Sequence, residues 1–284
     1  MITLLGSGNV ATWMAQRLQH SFRFPITQVY SRTLGHARVL SDLCGAQAVD
    51  NIKELNPDNQ IFIFALADKA YDEILPQLPF KLPMAFLTSG TVSCQCLKNH
   101  ADRYGVIYPL QTFTKSQDMR ALEVPLCLEG PMPEPPPEPT LPSVGNISPQ
   151  SVGNISPQRC GDSHQLMRDL ARELSPLCYE VSEAQRAQMH VAAVFACNFS
   201  NAMCQIAYKL LEEKGLSFEM LLPLLRQTVV KLETMTPAEA QTGPAARCDE
   251  NVMRSQMESL PNDRLKELYK LVSDTIMERN DLDK

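Results

Sequence analysis

The first half of the chain alternates short apolar segments with segments whose apolar residues recur at helical spacing. The segment 61–67 is apolar at both alternating positions, as in a strand that helices cover on both faces. Alternation of this kind predicts an α/β domain with a doubly wound parallel sheet. Strands are predicted at 2–6, 26–30, 61–67, 84–90, 105–110 and, near the sheet edge, 124–130, with helices at about 9–20, 34–43 and 69–77.

The second half is dominated by helical spacing and predicts an all-α domain. A long helix is expected from Glu183 to about Glu213, where Gly215 ends it. We place the domain boundary near Ser182, which gives domains of 1–181 and 182–284. The other elements predicted here are helices at 162–174, 218–234, 250–260 and 264–279 and a short strand at 178–181.

A proline-rich segment interrupts this pattern at about 131–161. Nine of the 28 residues from Pro131 to Gln158 are proline, and the unit SVGNISPQ occurs twice. Two copies of an eight-residue unit are too few and too short for a solenoid. We expect an extended, solvated and disordered insertion.

Composition narrows the classes of protein that fit. The charge balance of 26 basic against 32 acidic residues, a net charge of −6, is unlike that of a nucleic-acid binder. We see no apolar run of about 18 residues and no basic leader, and therefore expect a cytoplasmic protein without a membrane segment. The nine cysteines lack ligand spacing, so we expect reduced thiols, mainly core residues, and no metal site.

A glycine turn follows the first predicted strand directly and opens a helix. In GSGNVA, Gly6 permits the tight turn and Gly8 lets a pyrophosphate approach the backbone. The free amides at the helix start would bind the phosphates. We therefore predict a dinucleotide site, the alternative being a turn that only connects strand to helix. Its expected residues are Gly6, Ser7, Gly8, Asn9 and Val10, with Ala65 and Leu66 from the strand at 61–67.

The end of the second strand indicates which dinucleotide binds. NAD sites usually carry an acidic residue there, but this chain has Ser31, Arg32 and Thr33. A guanidinium flanked by hydroxyls suits a 2′-phosphate, which favours NADP over NAD. The alternative for Arg32 is an ordinary surface arginine at the start of a helix.

Polar residues on the long helix are the first candidates for catalysis. At 100° per residue His190 and Asn201 lie within about 20° of each other, and Asn198 about 80° away. His190 could donate the proton that hydride transfer to a carbonyl or imine needs, and the asparagines could orient the substrate. The alternative is that His190 caps a hydrogen-bond network and that the asparagines stabilise helix packing.

Three further residues are candidates for the same site. Arg247, after the Gly243-Pro244 turn, could clamp a substrate carboxylate, or could instead pair with Asp249 or Glu250. Ser89 and Gln111 follow predicted strands and should lie at the carboxyl edge of the sheet, where ligands bind.

Several segments together resemble a known family. The turn GSGNVA, YPLQTF at 108–113, HVAAVFACNFSNAM at 190–203 and QTGPAARCD at 241–249 occur in one order. They resemble a bacterial family that pairs a Rossmann-like NAD(P)-binding domain with a helical C-terminal domain of unknown function. That family is similar to the β-hydroxyacid dehydrogenase superfamily, including phosphogluconate dehydrogenase, ketopantoate reductase and pyrroline-carboxylate reductase.

The resemblance implies an oxidoreductase, and three departures bear on it. Cys248 stands where relatives often have glycine, and Gln256 where they often have histidine. The helix lysine of the wider superfamily is missing, with His190 in its neighbourhood. We therefore expect an NADP(H)-dependent oxidoreductase of a small, anionic carbonyl, imine or hydroxy compound, with a non-catalytic dinucleotide-binding sensor or scaffold as the alternative. By analogy we expect a homodimer through the C-terminal helices.

Overall fold

The computed structural model describes residues 1–115, 118–130 and 161–282. The predicted proline-rich insertion lies outside these residues except for its last position. The chain forms two compact units, Met1–Asn201 and Ala202–Lys284. The first unit thus extends about twenty residues beyond the predicted boundary, because side chains of the long helix bond to the sheet, as described below.

The described residues of the first unit form one eight-stranded sheet. Its strands are β1 Ile2–Leu5, β2 Ile26–Tyr30, β3 Gln47–Val49, β4 Ile61–Phe64, β5 Leu82–Leu87, β6 Ala101–Pro109, β7 Leu126–Glu129 and β8 Cys178–Glu180. The strand order is β3-β2-β1-β4-β5-β6-β7-β8. The first six strands are parallel, whereas β7 is antiparallel to β6 and parallel to β8. This confirms the predicted Rossmann-like α/β fold, in which β1 and β4 flank the switch point where ligands bind.

Helices cover both faces of the sheet. Trp13 and Met14 pack on one face with Met167 and Leu170, whereas Tyr71 and Ile74 pack on the other. The α-helices of the first unit are α1 Asn9–Leu18, α2 Leu34–Cys44, α3 Tyr71–Ile74, α4 Gly161–Leu174 and α5 Glu183–Ala193. Single 3₁₀ turns occupy Ile52–Glu54, Asp68–Ala70, Leu75–Gln77 and Cys94–Leu97.

Two elements differ from the sequence prediction. Strand β3 was not predicted, since it has three residues and only Val49 is fully buried. The helix predicted at 69–77 is α3 with a 3₁₀ turn on each side. Pro76 in the second turn explains that ending, because proline lacks the amide hydrogen that would continue an α-helix.

The predicted long helix is continuous but contains a π-helical segment. It consists of α5, the π-helical residues Val194–Phe199, and α6 Ser200–Glu212. By length and composition Glu183–Glu212 could cross a membrane. The helix contains no uninterrupted apolar run of about 18 residues, as predicted, because His190, Asn198 and Asn201 interrupt it. Its first turns also carry a buried arginine and a histidine bonded to the sheet, which favours a protein environment.

The second unit is helical and buries few side chains. The large apolar residues Leu224, Val229 and Leu271 are each more than 60% exposed. Its α-helices after α6 are α7 Leu222–Lys231, α8 Pro237–Ala240, α9 Glu250–Glu258 and α10 Asp263–Leu282, with 3₁₀ turns at Phe218–Leu221 and Ala245–Arg247.

The eight cysteines within the described residues are free thiols. Cys94 and Cys127 are buried, and Cys44, Cys96 and Cys178 pack partly buried against the core, so most of the described cysteines lie in or against the core as expected. Among the described residues no three His, Cys, Asp or Glu side chains form a metal-binding group.

Candidate active site

The glycine turn lies where the carboxyl ends of β1, β2 and β4 meet. The Gly6 amide donates to Tyr30 O, and the Ala65 amide donates to Leu5 O. Gly6 has φ 116°, and a Cβ atom there would lie 2.1 Å from Ala65 O. Only glycine therefore fits at this position.

The start of α1 is open to a ligand. Gly8 is the N-cap residue, its backbone is extended, and a Cβ atom placed on it would meet no atom within 4 Å. Within the part of the chain that the structure describes, no side-chain hydrogen bond caps α1 at this end. Backbone amide donors at the positive end of a helix dipole suit a diphosphate.

The predicted 2′-phosphate residues lie beside this turn. Ser31 Oγ is 2.9 Å from Ser7 Oγ. The Arg32 side chain is 71% exposed, with its guanidinium 3.7 Å from the Glu73 carboxylate. An exposed pair of this length contributes little, so Arg32 is available to a stronger anion. Thr33 is the N-cap of α2, and its hydroxyl makes no capping hydrogen bond.

A segment that we call the strap, residues 110–115, crosses the glycine turn. Asn9 Nδ2 donates to Phe113 O at 2.7 Å, and Lys115 Nζ donates to Ser7 O. The Phe113 ring stacks on Trp13 with centroids 5.2 Å apart. The strap therefore ties the predicted cofactor turn to the end of β6, and Lys115 brings a positive charge to the turn.

The other end of the strap borders a cavity of about 390 Å³ within the first unit. The cavity brings together three of the predicted catalytic residues, His190, Asn198 and Gln111. Its full lining is Tyr108, Leu110, Gln111, Thr112, Phe113, His190, Ala193, Val194, Cys197 and Asn198.

Asn201 does not line this cavity, contrary to the face predicted from ideal helical spacing. The helix lines the cavity with His190, Ala193, Val194, Cys197 and Asn198, which have the spacing of one helical face, and this set ends three residues before Asn201. The residues Val194–Phe199 form a π-helical segment. Asn198 lies inside that segment and faces the cavity. Segments of this type frequently occur at functional sites.

His190 is bonded to the end of β6. Its Nδ1 lies 2.9 Å from Tyr108 Oη, and the two rings meet edge to face with centroids 5.9 Å apart. Gly90 lies against the same ring, because a Cβ atom there would be 2.5 Å from His190 Nδ1. Tyr108 was not among the predicted site residues, although it begins the YPLQTF segment.

One turn before His190, a fully buried arginine fixes α5 to the sheet. Arg186 Nε donates to Glu129 Oε2 at 2.7 Å, and the pair is almost inaccessible to solvent. Its other nitrogens donate to Ser89 O at 3.1 Å and Val92 O at 3.0 Å. This side chain was not predicted, since an arginine near a helix start is typical of an exposed surface.

The Ser89 hydroxyl is fully engaged in positioning the loop after β5. It donates to Asp68 Oδ1 at 2.8 Å and accepts the amides of Thr91 and Val92 at 3.1 and 3.0 Å. A hydroxyl has one hydrogen and two lone pairs, so none remains for a substrate. The geometry gives Ser89 a positioning role instead of the direct catalytic role that we predicted.

Arg247 lies in the second unit, in the turn Ala245–Arg247, and is exposed. The alternative pairing with Asp249 is not formed, because Asp249 Oδ1 instead accepts the Val252 amide at 3.2 Å and caps α9. No ion pair of the described residues involves Arg247. The next residue, Cys248, has φ 53°, the left-handed region that favours glycine. Gln256 Oε1 accepts from Tyr269 Oη at 2.7 Å.

Comparison with known proteins identifies the family. The sequence profile of a domain of unknown function, DUF2520, matches residues 161–276. A Bacteroides fragilis protein, provisionally named an NADP oxidoreductase, is 33% identical over 98% of this chain and 97% of its own, with a TM-score of 0.80. The chain belongs to the DUF2520 family. This confirms the resemblance found in the sequence.

More distant structures share the fold of this DUF2520 protein. A Thermotoga maritima protein is 17% identical over 100% of this chain and 99% of its own, with a TM-score of 0.67. A reductive aminase from Aspergillus terreus, solved with NADPH and ethyl-5-oxohexanoate, is 16% identical over 98% and 93%, with a TM-score of 0.63. No curated protein sequence matches the chain.

Proposed function

We propose that this protein is an NADP(H)-dependent oxidoreductase that reduces or forms a small, anionic carbonyl, imine or hydroxy compound. The observation that carries the proposal is the strap, which joins an open dinucleotide turn to a cavity containing a histidine at the same edge of the sheet. The provisional name of the Bacteroides fragilis relative and the NADPH of the reductive aminase support it.

The residues present fit an NADP molecule. A Cβ atom on Gly8 would meet open space, Gly6 lets β1 and β4 approach, and the exposed Arg32, whose contact with Glu73 is long, could bind a 2′-phosphate. When bound, the nicotinamide exchanges a hydride with the substrate carbon.

The chain itself supplies proton transfer and orientation. As hydride reaches the carbon, the carbonyl oxygen or imine nitrogen takes the Nε2 proton of the His190 imidazolium, which leaves the ring neutral. Asn198 and Gln111, which line the same cavity, would donate hydrogen bonds to the substrate. Arg247 remains a candidate clamp for a substrate carboxylate, because its guanidinium is exposed and forms no ion pair with the described residues.

Titration of NADPH fluorescence, followed by a screen of 2-oxo acids, cyclic imines and hydroxy acids, tests the proposal. We expect micromolar NADPH binding and oxidation with at least one substrate class. NADPH binding without oxidation across the screen would favour the sensor or scaffold alternative, which the replacement of the relatives' histidine by Gln256 supports. If neither NADPH nor NADH binds, both functions are wrong.

Replacing Arg32 with alanine should weaken NADPH binding about 10- to 100-fold, since a charge-assisted hydrogen bond contributes about 1.5–3 kcal/mol. NADH lacks the 2′-phosphate, so its Kd should change less than about twofold. The matched control is Arg38→Ala, which removes an exposed arginine of α2. Equal losses for both coenzymes would contradict the 2′-phosphate contact.

We also propose a homodimer through the C-terminal helices. Among the described residues of the second unit, only Ala245, Met253 and Ser273 are buried, while many large apolar side chains are exposed. Such a surface is typical of an obligate interface.

Light scattering should therefore give twice the chain mass of 31.7 kDa. Leu224→Glu should yield monomers, because it places a charge in the buried interface, whereas Lys98→Glu in the first unit should not. A wild-type monomer at micromolar concentration would contradict the dimer.

A further inference from the structure

Among the described residues, the His190 ring is hydrogen-bonded at Nδ1 alone. Tyr108 Oη lies 2.9 Å from this nitrogen. Gly90 packs against the same part of the ring so closely that a Cβ atom would lie 2.5 Å from Nδ1 and 2.8 Å from Cγ. With Nδ1 enclosed in this way, Nε2 is the nitrogen left for the cavity and its contents.

The partner of Nδ1 is a hydroxyl, and a hydroxyl can both donate and accept a hydrogen bond. When His190 is neutral, the phenol hydrogen can point at the Nδ1 lone pair, which places the ring hydrogen on Nε2. When His190 is charged, Nδ1 carries a hydrogen and the hydroxyl rotates to accept it. A carboxylate partner could only accept and would therefore place the hydrogen of the neutral ring on Nδ1.

Tyr108 keeps its own hydrogen in this environment. Burial raises the pKa of Tyr108 to about 12, with a smaller contribution from the Cys127 thiol of β7 and an opposing one from Arg186 of α5. The phenol is thus neutral at and well above neutral pH, and both hydrogen-bonding modes stay open.

Arg186 holds the His190 ring and the Gly90 loop in position relative to each other. Arg186, four residues before His190, bonds to Glu129 and to two carbonyl oxygens of the loop that contains Gly90. The same side chain therefore fixes both α5, which carries His190, and the loop that packs against its ring.

We propose that Tyr108 is a positioning residue, which bonds Nδ1 in both charge states of His190 so that the resting protein always presents an N–H at Nε2 to the substrate atom. The catalytic role of the N–H at Nε2 rests on the proposed function. The hydrogen bond from Tyr108 and the position of the ring hydrogen do not depend on that function. Tyr108 itself need not touch the substrate, because it acts through His190.

The direct test is ¹⁵N NMR of histidine-labelled protein, with His190 assigned from the signals missing in His190→Gln. With the ring neutral, wild type should show a protonated Nε2 and an unprotonated, hydrogen-bonded Nδ1. Tyr108→Phe should shift both signals toward the average of two exchanging tautomers. The matched control is Tyr104→Phe on the same strand, whose hydroxyl bonds Gln95 at 3.4 Å; it should leave them unchanged.

A kinetic measurement then connects the tautomer to catalysis. Tyr108→Phe should lower kcat about 10- to 100-fold, as expected when an aligned donor at the reacting atom is lost, with the Kd of NADPH unchanged. A neutral wild-type ring with its hydrogen on Nδ1, or unaltered signals in Tyr108→Phe, would overturn the proposal. Wild-type protein that gives the expected tautomer but oxidises no NADPH would instead contradict the proposed function alone.

Discussion

Replacing His190 with alanine should lower kcat about 10²- to 10⁴-fold, the usual contribution of a positioned proton donor. His190 lines the cavity, and no other histidine does. The Kd of NADPH should stay within about twofold of wild type, because the glycine turn and Arg32 make no hydrogen bond or ion pair with His190 among the described residues.

The measurement is steady-state kinetics with the best substrate from the screen, together with NADPH titration. His36→Ala is the matched control, since it removes an exposed histidine of α2. A kcat reduced less than tenfold, or an equal effect of His36→Ala, would contradict the role of His190 as proton donor. His190→Ala that loses NADPH binding as well would show that the residue serves the fold.

Replacing Arg186 with methionine should destabilise the protein by about 3–5 kcal/mol. The substitution leaves the buried Glu129 carboxylate without its cation, and removal of one partner of a buried ion pair has that cost. The carbonyl oxygens of Ser89 and Val92 lose their donors at the same time. Chemical denaturation followed by circular dichroism measures the loss.

Two further variants separate the ion pair from general damage. Arg168→Met removes a partly exposed arginine that pairs with Glu180, and should cost less than about 1 kcal/mol. Adding Glu129→Leu to Arg186→Met should recover part of the stability, because no buried charge then lacks a partner. If Arg186→Met and Arg168→Met cost the same, the buried pair does not stabilise the fold as we infer.

The fold was predictable because its signals are local. The apolar strand 61–67 and the glycine turn after residue 5 suffice to predict a doubly wound sheet with its dinucleotide turn. Strand β3 lacks such a signal, since it is too short for a recognisable pattern and pairs only at the sheet edge. The helix predicted at 69–77 stops being α-helical near one proline, Pro76. The apolar periodicity of the segment continues past that proline and does not indicate the break.

The candidate site was only partly predictable, because its contacts join residues far apart in sequence. His190 stands out as the histidine of an apolar helix, but its partner Tyr108 lies 82 residues earlier. Arg186 looks like a surface residue until its distant partner Glu129 is known. The cavity includes Asn198 but not Asn201, and the sequence could not show where it ends, because that depends on residues of β6 and the strap that are distant in sequence.

The chain contains a single tryptophan, Trp13, which is completely buried and stacks on Phe113 of the strap. Its intrinsic emission therefore comes from one known place, beside the turn where the dinucleotide would lie. The reduced nicotinamide ring absorbs at wavelengths where tryptophan emits, so coenzyme occupancy and any displacement of the strap become visible as quenching or a spectral shift. The protein thus carries its own optical reporter, and ligand screening needs no attached dye.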